Sequence, residues 1–424
     1  MLLKPKALLA GVNLSNYQHD FIDSMEELRR LAEACDFEVV GQVSQRMNKL
    51  NPVYYLGKGK LEELKLLLEE TGAEVAIFND ELSFSQIRNL EEALECRIID
   101  RTVLILDIFA QRARTREAKL QVEIARLQYL LPRLGGQGEI LSRQGGGAGL
   151  RNRGAGETKL ELDRRKIEER IGRLHKELET LVTDRQNQRK KRKKSELPVV
   201  ALVGYTNAGK SSLLNALLDM YHNEAGKRVF EKDMLFATLE TSVRRIKLPD
   251  NKSFLLTDTV GFISKLPHQL VKAFRSTLEE VTEADLLIHV VDYSNPNYEQ
   301  QIETTQETLK ELGADNIPVI YAYNKIDLVE GGFPKVNGNK GDCIFLSAKQ
   351  KEGMDKLVEA IKERAFPRYI PCTMLIPYAK GEIAAYLSNN AHIISTEYTG
   401  EGILLALECL EADYRRYKEY TKKH

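Results

Sequence analysis

VVALVGYTNAGKSSLLNAL, residues 199–217, decides how the chain around it must fold. An apolar run suited to a buried strand leads into Gly204, Tyr205, Thr206, Asn207, Ala208, Gly209, Lys210, Ser211 and Ser212, and an apolar helical pattern starts at once. Strand, glycine-bearing loop and helix in that order are what a phosphate-binding loop requires. The glycines let the backbone turn tightly, so that its N–H groups and the helix N-terminus direct donors and partial positive charge at phosphate oxygens. Lys210 is placed to reach the outer phosphates and Ser211 to ligate Mg2+.

Three further stretches follow in the order a guanine-nucleotide site demands. SFLLTDTVGF, residues 253–262, ends an apolar strand at Asp258, a second Mg2+ ligand expected to act through a water. The turn Thr259, Val260, Gly261 then places the Gly261 N–H to sense a third phosphate. Asn324, Lys325, Ile326 and Asp327 close the strand PVIYAY. A carboxylate at 327 can accept from the ring N–H and the amino group that guanine presents and adenine lacks. Ser347, Ala348 and Lys349 follow CIFL and offer backbone donors to the guanine oxygen.

Between loop and turn lies FATLE, residues 236–240, which brings in Phe236 and Thr238. Thr238 is assigned as the mobile-loop threonine that ligates Mg2+ only with a third phosphate present; Thr241 competes for that role, and an ordinary strand threonine is the other reading. Lys210, Thr238 and Gly261 are therefore the candidate catalytic groups of a GTP hydrolase.

With 424 residues the chain exceeds the size at which one core keeps growing. Its 42% hydrophobic and 29% charged residues, with no run of eighteen apolar positions, exclude compositional disorder and a spanning helix. A cytoplasmic protein without stable membrane insertion is expected. The start MLLKPKALLAGVNLSN reads as a buried strand rather than a secretory signal. Lys+Arg and Asp+Glu balance at 62 each, which argues against wholesale nucleic-acid coating but leaves room for local patches. Cysteines at 35, 96, 343, 372 and 409 form no CxxC pair, so neither structural zinc nor a disulfide framework is expected, only inert thiols.

The predicted architecture is multidomain α/β. Residues 1–115 alternate short apolar runs with helical patterns, as a parallel α/β domain does. Residues 116–195 form a long antiparallel helical hairpin. Its first helix carries Leu120, Ile124, Leu127 and Leu131 on one face and ends before Pro132. Its second carries Leu160, Ile167, Ile171, Leu174, Leu178 and Leu181 and, if helical from Thr158 to Lys194, is about 55 Å long. A glycine-rich break over 135–156 makes the tip. Residues 196–365 are the P-loop GTPase domain, and 366–424 a small βαββα-like carboxy-terminal domain.

The order GYTNAGKS, FATLE, DTVGFI, NKID, SAK resembles the HflX family of translation-associated GTPases, in the same broad class as the Obg and Era types. DELSFSQIRNLEE (80–92), IIDRTVLILDIFAQRARTREAKLQVEIARLQYLLPRL (98–134) and LSRQGGGAGLRNRGAGETKLELDRR (141–165) resemble that family's amino-terminal region, so the similarity spans about residues 50–365. It implies an Mg2+-dependent GTP hydrolase, and a chain that is monomeric when free is expected. It also implies binding to the large ribosomal subunit through the amino-terminal region and the splitting of stalled or idle ribosomes in the GTP state. It places Phe262 where many GTPases carry a water-orienting glutamine; a phenyl ring cannot hydrogen-bond water, so slow turnover that ribosomes stimulate is expected. In similar GTPases an asparagine at the position of Asn207 helps hold K+; a turn residue tolerating an unusual backbone angle is the other reading.

Arg143, Arg151 and Arg153 sit among the tip glycines, where guanidinium groups can approach ribosomal RNA closely; a linker with surface arginines is the alternative. The basic run 189–194 and Gly57-Lys58-Gly59-Lys60 are either RNA or phosphate contacts or solvated surface. Two other functions remain open: a nucleotide-dependent switch on a non-ribosomal protein, and an RNA-modification GTPase activated by dimerisation.

Overall fold

The computed structural model describes residues 4–14, 18–144, 153–193, 197–221, 236, 241–265, 280–329, 343–366 and 369–422, without the side chains of 18–20, 134–144, 153–160 and 182–193. Two compact units share the chain, 1–184 with 232–240 and 263–276, and 185–231 with 241–262 and 277–424.

In the first unit, β1 (Lys6–Asn13), α1 (Gln18–Ala34), β2 (Glu38–Arg46), α2 (Lys58–Thr71), β3 (Val75–Phe78), α3 (Phe84–Leu94) and β4 (Arg97–Asp100) build a parallel sheet of order β2-β1-β3-β4. KALLAGVN and VAIF are buried along nearly their whole length, as strands covered on both faces must be. Local signals set the helix starts. Ser83 and Gln86 form a reciprocal capping box on α3, and the Asp100 carboxylate accepts from Val103 N to start α4 (Arg101–Arg112).

The hairpin helices are α5 (Arg116–Gln144) and α6 (Arg153–Lys193), which corrects two expected boundaries. α5 does not stop before Pro132, and helix fills both ends of the supposed glycine break. Proline removes one helical hydrogen bond, and the residues beside it are tightly held. Tyr129 Oη donates to Asp100 Oδ2 at 2.6 Å, while Arg133 lies 3.2 Å from the Tyr129 ring centroid and donates to Leu82 O at 2.9 Å. Leu120, Ile124 and Leu174 form a buried seam flanked by Leu127, Leu178 and Leu181, each fully buried side chain stabilising the pair by about 1.5–3 kcal/mol. Arg116 pairs with Glu177 and Arg170 with Glu123, so the two helices run antiparallel.

The second unit holds β5 (Val199–Val203), α7 (Lys210–Tyr221), β6 (Ser242–Lys247), β7 (Ser253–Asp258), β8 (Leu286–Asp292), α8 (Tyr298–Glu311), β9 (Val319–Asn324), β10 (Cys343–Phe345) and α9 (Met354–Ala365). Its sheet order is β10-β9-β8-β5-β7-β6, parallel except for β6. After it, β11 (Tyr369–Ile376), α10 (Gly381–Asn390), β12 (His392–Thr399), β13 (Gly402–Leu410) and α11 (Glu411–Arg416) make an antiparallel sheet, β11-β13-β12, with its own apolar cluster. Lys252 Nζ pairs with Glu408 at 2.7 Å, tying this small sheet to the β6–β7 turn.

Candidate nucleotide site

Five parallel strands of the second unit end on one edge, where open α/β sheets bind ligands. The phosphate loop follows β5, Asp258 ends β7, Asp292 ends β8, Asn324 ends β9, and Ser347 follows β10.

Two loop glycines are required by geometry. Gly204 has φ 141°, and a Cβ there would fall 2.2 Å from Val290 O; Gly209 has φ 94°, and its Cβ would fall 2.2 Å from Asn324 Nδ2. Asn207 at φ 62° adopts the left-handed conformation that asparagine tolerates, as the turn reading requires. Lys210, at the start of α7, is buried, and its Nζ donates to Gly204 O at 3.0 Å and Tyr205 O at 2.8 Å. An ammonium has three donors, so its own loop fixes two and aims the group. Burial pushes its pKa down to about 8, partly opposed by the Asp258 carboxylate. The Thr206 hydroxyl in this loop is buried without a hydrogen-bond partner among the described residues, a polar group suited to a ligand.

Ser211 Oγ donates to the fully buried Asp258 at 2.7 Å. Hydroxyl and carboxylate form an all-oxygen set that suits Mg2+. Among the described residues no group of three or more His, Cys, Asp or Glu is placed to hold a metal ion. Thr259 is also fully buried, and its hydroxyl is spent on Leu202 O at 2.6 Å, which anchors the turn to β5. His289 beneath the loop is driven down to about 3 by burial and then by Lys210, so it stays neutral and adds no charge.

The turn after Asp258 is fastened to the phosphate loop. Thr206 N donates to Phe262 O at 2.7 Å and Phe262 N to Gly204 O at 3.1 Å. Val260 is buried beside them, and the Phe262 side chain is 2% exposed. Phe262 is thus an apolar anchor whose backbone, not its ring, serves the site. Gly261 packs so closely that a Cβ would lie 2.8 Å from Thr206 Cα and 3.0 Å from Lys210 Nζ.

At the base end, Asn324 braces two loops: its Nδ2 donates to Ala208 O at 2.9 Å and its Oδ1 accepts from Ala348 N at 3.0 Å. Asp327 Oδ1 accepts from Ser347 Oγ at 2.7 Å, which orients a half-buried carboxylate. Lys325, at φ 64°, pairs with Asp292 at 2.7 Å, while Ile326 is buried and Lys349 exposed.

Similarity to known proteins agrees with this geometry. Residues 22–110 match the family described as GTP-binding GTPase N-terminal, 112–192 its Middle Region, and 199–325 that of 50S ribosome-binding GTPase. GTPase HflX of Caldanaerobacter subterraneus subsp. tengcongensis is 47% identical over 405 residues, covering 96% of this chain and 91% of its own. The chain belongs to the HflX GTPase family. GTPase HflX of Escherichia coli K12 is 41% identical over 365 residues, covering 85% and 84%. A GTP-binding protein of Sulfolobus solfataricus in complex with GDP aligns over 85% of this chain and 98% of its own at 26% identity and TM-score 0.43.

As an HflX GTPase the chain binds GTP and hydrolyses it to GDP and phosphate. The structure brings Gly204 to Ser212, Asp258 to Gly261, Asn324 to Asp327 and Ser347 to Lys349 to one sheet edge. Phe236 is described, buried at φ 53° in the first unit. Thr238 and Arg151 lie outside the described residues, as do the side chains of Arg143 and Arg153, whose backbones belong to α5 and α6. Sequence reasoning missed Asp292; its signal is a carboxylate closing the apolar strand LLIHVVD on the same edge.

Proposed function

We propose that this HflX GTPase binds the large ribosomal subunit in the cytoplasm and uses the GTP cycle to regulate ribosome state, splitting stalled or idle ribosomes. The observation that carries the reading is the burial of Phe262. With its ring packed away and its backbone committed to the phosphate loop, the position that elsewhere orients water offers nothing to it. Turnover alone is slow, and a partner must complete the site. The similarity of residues 199–325 to 50S ribosome-binding GTPases supports a ribosomal partner.

In this proposal Lys210 holds the outer phosphates, and the Gly261 N–H and Thr238 respond to the third. Ser211, Thr238 and, through a water, Asp258 hold Mg2+, which when bound neutralises charge developing on the phosphates. Asp327 reads guanine, with Lys325, Ile326 and the Ser347–Lys349 backbone around the base. Arg143, Arg151 and Arg153 meet ribosomal RNA. Asn207 is also the candidate K+ ligand. Replacing K+ by Na+ at constant ionic strength lowers turnover if its carboxamide holds the ion, and leaves it unchanged if Asn207 serves only the turn.

Cosedimentation with large subunits tests the proposal. Binding is expected with a non-hydrolysable GTP analogue, weaker with GDP, and falling steeply between 50 and 200 mM salt as phosphate contacts release counterions. Absence of binding with the analogue, or an affinity indifferent to salt, would refute it.

A further inference from the structure

The small carboxy-terminal sheet carries two of the five cysteines, Cys372 on β11 and Cys409 on β13. In the antiparallel register Cys372 stands opposite Leu407, and Cys409 opposite Ile370. Facing residues of such a pair share one side of the sheet, and so do residues two apart on one strand. The two thiols are therefore diagonal neighbours on one face. It is the apolar face: Met374, Leu405 and Leu407 lie on it, all buried, and Ala384 and Leu387 of α10 belong to the same cluster. The sulfurs are 3.8 Å apart, within reach of a thiol hydrogen bond.

The two positions are unequal. Cys409 is buried, whereas Cys372, on an outer strand, is only partly so. A hydrogen bond from the Cys409 thiol draws Cys372 below the ordinary thiol value, against the effect of burial, while the same contact and then burial hold Cys409 up. The accessible sulfur is thus the better thiolate, and the buried one keeps its proton beside it. Elsewhere burial pushes Cys35 up to about 12 and Cys96 up to about 11, so those thiols stay protonated and unreactive.

We propose that Cys372 and Cys409 form a peroxide-reactive dithiol: a hydroperoxide oxidises Cys372, and Cys409 then closes a reversible disulfide that staples β11 to β13. In the first step the Cys372 thiolate attacks one peroxide oxygen and the O–O bond breaks, which leaves a sulfenic acid on Cys372. The departing hydroxide takes up the proton released when the thiolate formed and becomes water. In the second step the Cys409 sulfur attacks the sulfenic sulfur, the S–S bond forms and the S–O bond breaks. Hydroxide leaves with the Cys409 proton as a second water. The two sulfurs lose two electrons, and hydrogen peroxide is reduced to two waters. Disulfide Cβ atoms stand about 3.5–4.5 Å apart, and diagonal neighbours start farther apart than facing ones, so the strands must draw together. A bond made that way is readily reduced again, as suits a switch rather than a permanent brace.

The test treats the reduced full chain with a small excess of hydrogen peroxide and maps it by mass spectrometry of a digest made without reductant. The expected product is a peptide pair joined through Cys372 and Cys409, two hydrogens lighter than the separate peptides and released by dithiothreitol. In the untreated chain Cys372 is alkylated by iodoacetamide about tenfold or more faster than Cys35 or Cys96 at neutral pH. Cys409→Ala keeps the buried position apolar and removes the resolving sulfur, so after peroxide its Cys372 carries a sulfenic acid that dimedone traps. Cys372→Ser gives neither the joined peptides nor a dimedone adduct at Cys409. Absence of the 372–409 link in the treated parent, or alkylation of Cys35 and Cys96 as fast as Cys372, would overturn the proposal. Dimedone trapped on Cys409 rather than Cys372 would overturn the assigned order of attack.

Discussion

Replacing Gly261 by alanine tests whether the turn must sit hard against the phosphate loop. The added methyl carbon would lie 2.8 Å from Thr206 Cα and Cγ2 and 3.0 Å from Lys210 Nζ. Carbon contacts settle at about 3.5–4.0 Å, so the two segments must separate by roughly 1 Å. Thr206 cannot yield, because Gly204 is wedged against Val290 and Gly209 against Asn324. The turn moves instead, stretching the 2.7 Å bond from Thr206 N to Phe262 O and shifting the Gly261 N–H. A catalytic donor misplaced by about 1 Å lowers the rate about 10²-fold, close to 2.7 kcal/mol of barrier. GDP has no third phosphate, so its affinity stays within about threefold. Fluorescent GDP titration and single-turnover GTP hydrolysis read the two effects separately. A variant that hydrolyses GTP within threefold of the parent rate would refute this placement of Gly261.

If Asp327 reads guanine as proposed, Asp327→Asn keeps one acceptor oxygen and turns the other into a donor, so one charged hydrogen bond worth about 1.5–3 kcal/mol is lost and GTP affinity falls about 10–100-fold. Xanthosine triphosphate, with a carbonyl in place of the amino group, is bound better by the variant than by the parent, as competition titration would show. Nucleotide binding takes up a proton above pH 8. Burial lowers Lys210 to about 8 from the ordinary lysine value of 10.5, so between these values the folded chain holds fewer protons than the unfolded one. Its stability without nucleotide therefore rises with pH through that window, and phosphate restores the proton. Calorimetry at pH 8.5 in buffers of different ionisation enthalpy measures the uptake. Asp100→Ala leaves Val103 N, Leu82 N and the Tyr129 hydroxyl without their acceptor and destabilises the first unit by about 2–5 kcal/mol, seen as a lower-temperature first melting transition.

The nucleotide loops were legible because each is short, contiguous and bound to a strand end, so residue type and order carry the chemistry. The antiparallel hairpin was legible for a similar reason, its apolar stripe being periodic in sequence. Its boundaries were not, since Pro132 and the glycines after it argue locally for a break, while Tyr129 and Arg133 hold the helix through contacts with Asp100 and Leu82. Phe262 shows a finer limit. Its inability to orient water follows from residue type, but its backbone pairing with the phosphate loop follows only from the fold. Other contacts join residues far apart in the chain. Arg101 reaches Ser264, and Cys372 and Cys409, read from the sequence only as inert thiols outside any CxxC pair, come within 3.8 Å on paired strands β11 and β13.

Steady-state GTP turnover with large ribosomal subunits titrated in, at fixed Mg2+ and K+, tests most directly whether a partner completes the site that Phe262 leaves without a water-orienting group. A slow basal rate that rises many-fold and saturates with subunits is the predicted result. A rate indifferent to subunits would mean that the chain orients the water itself or serves another partner.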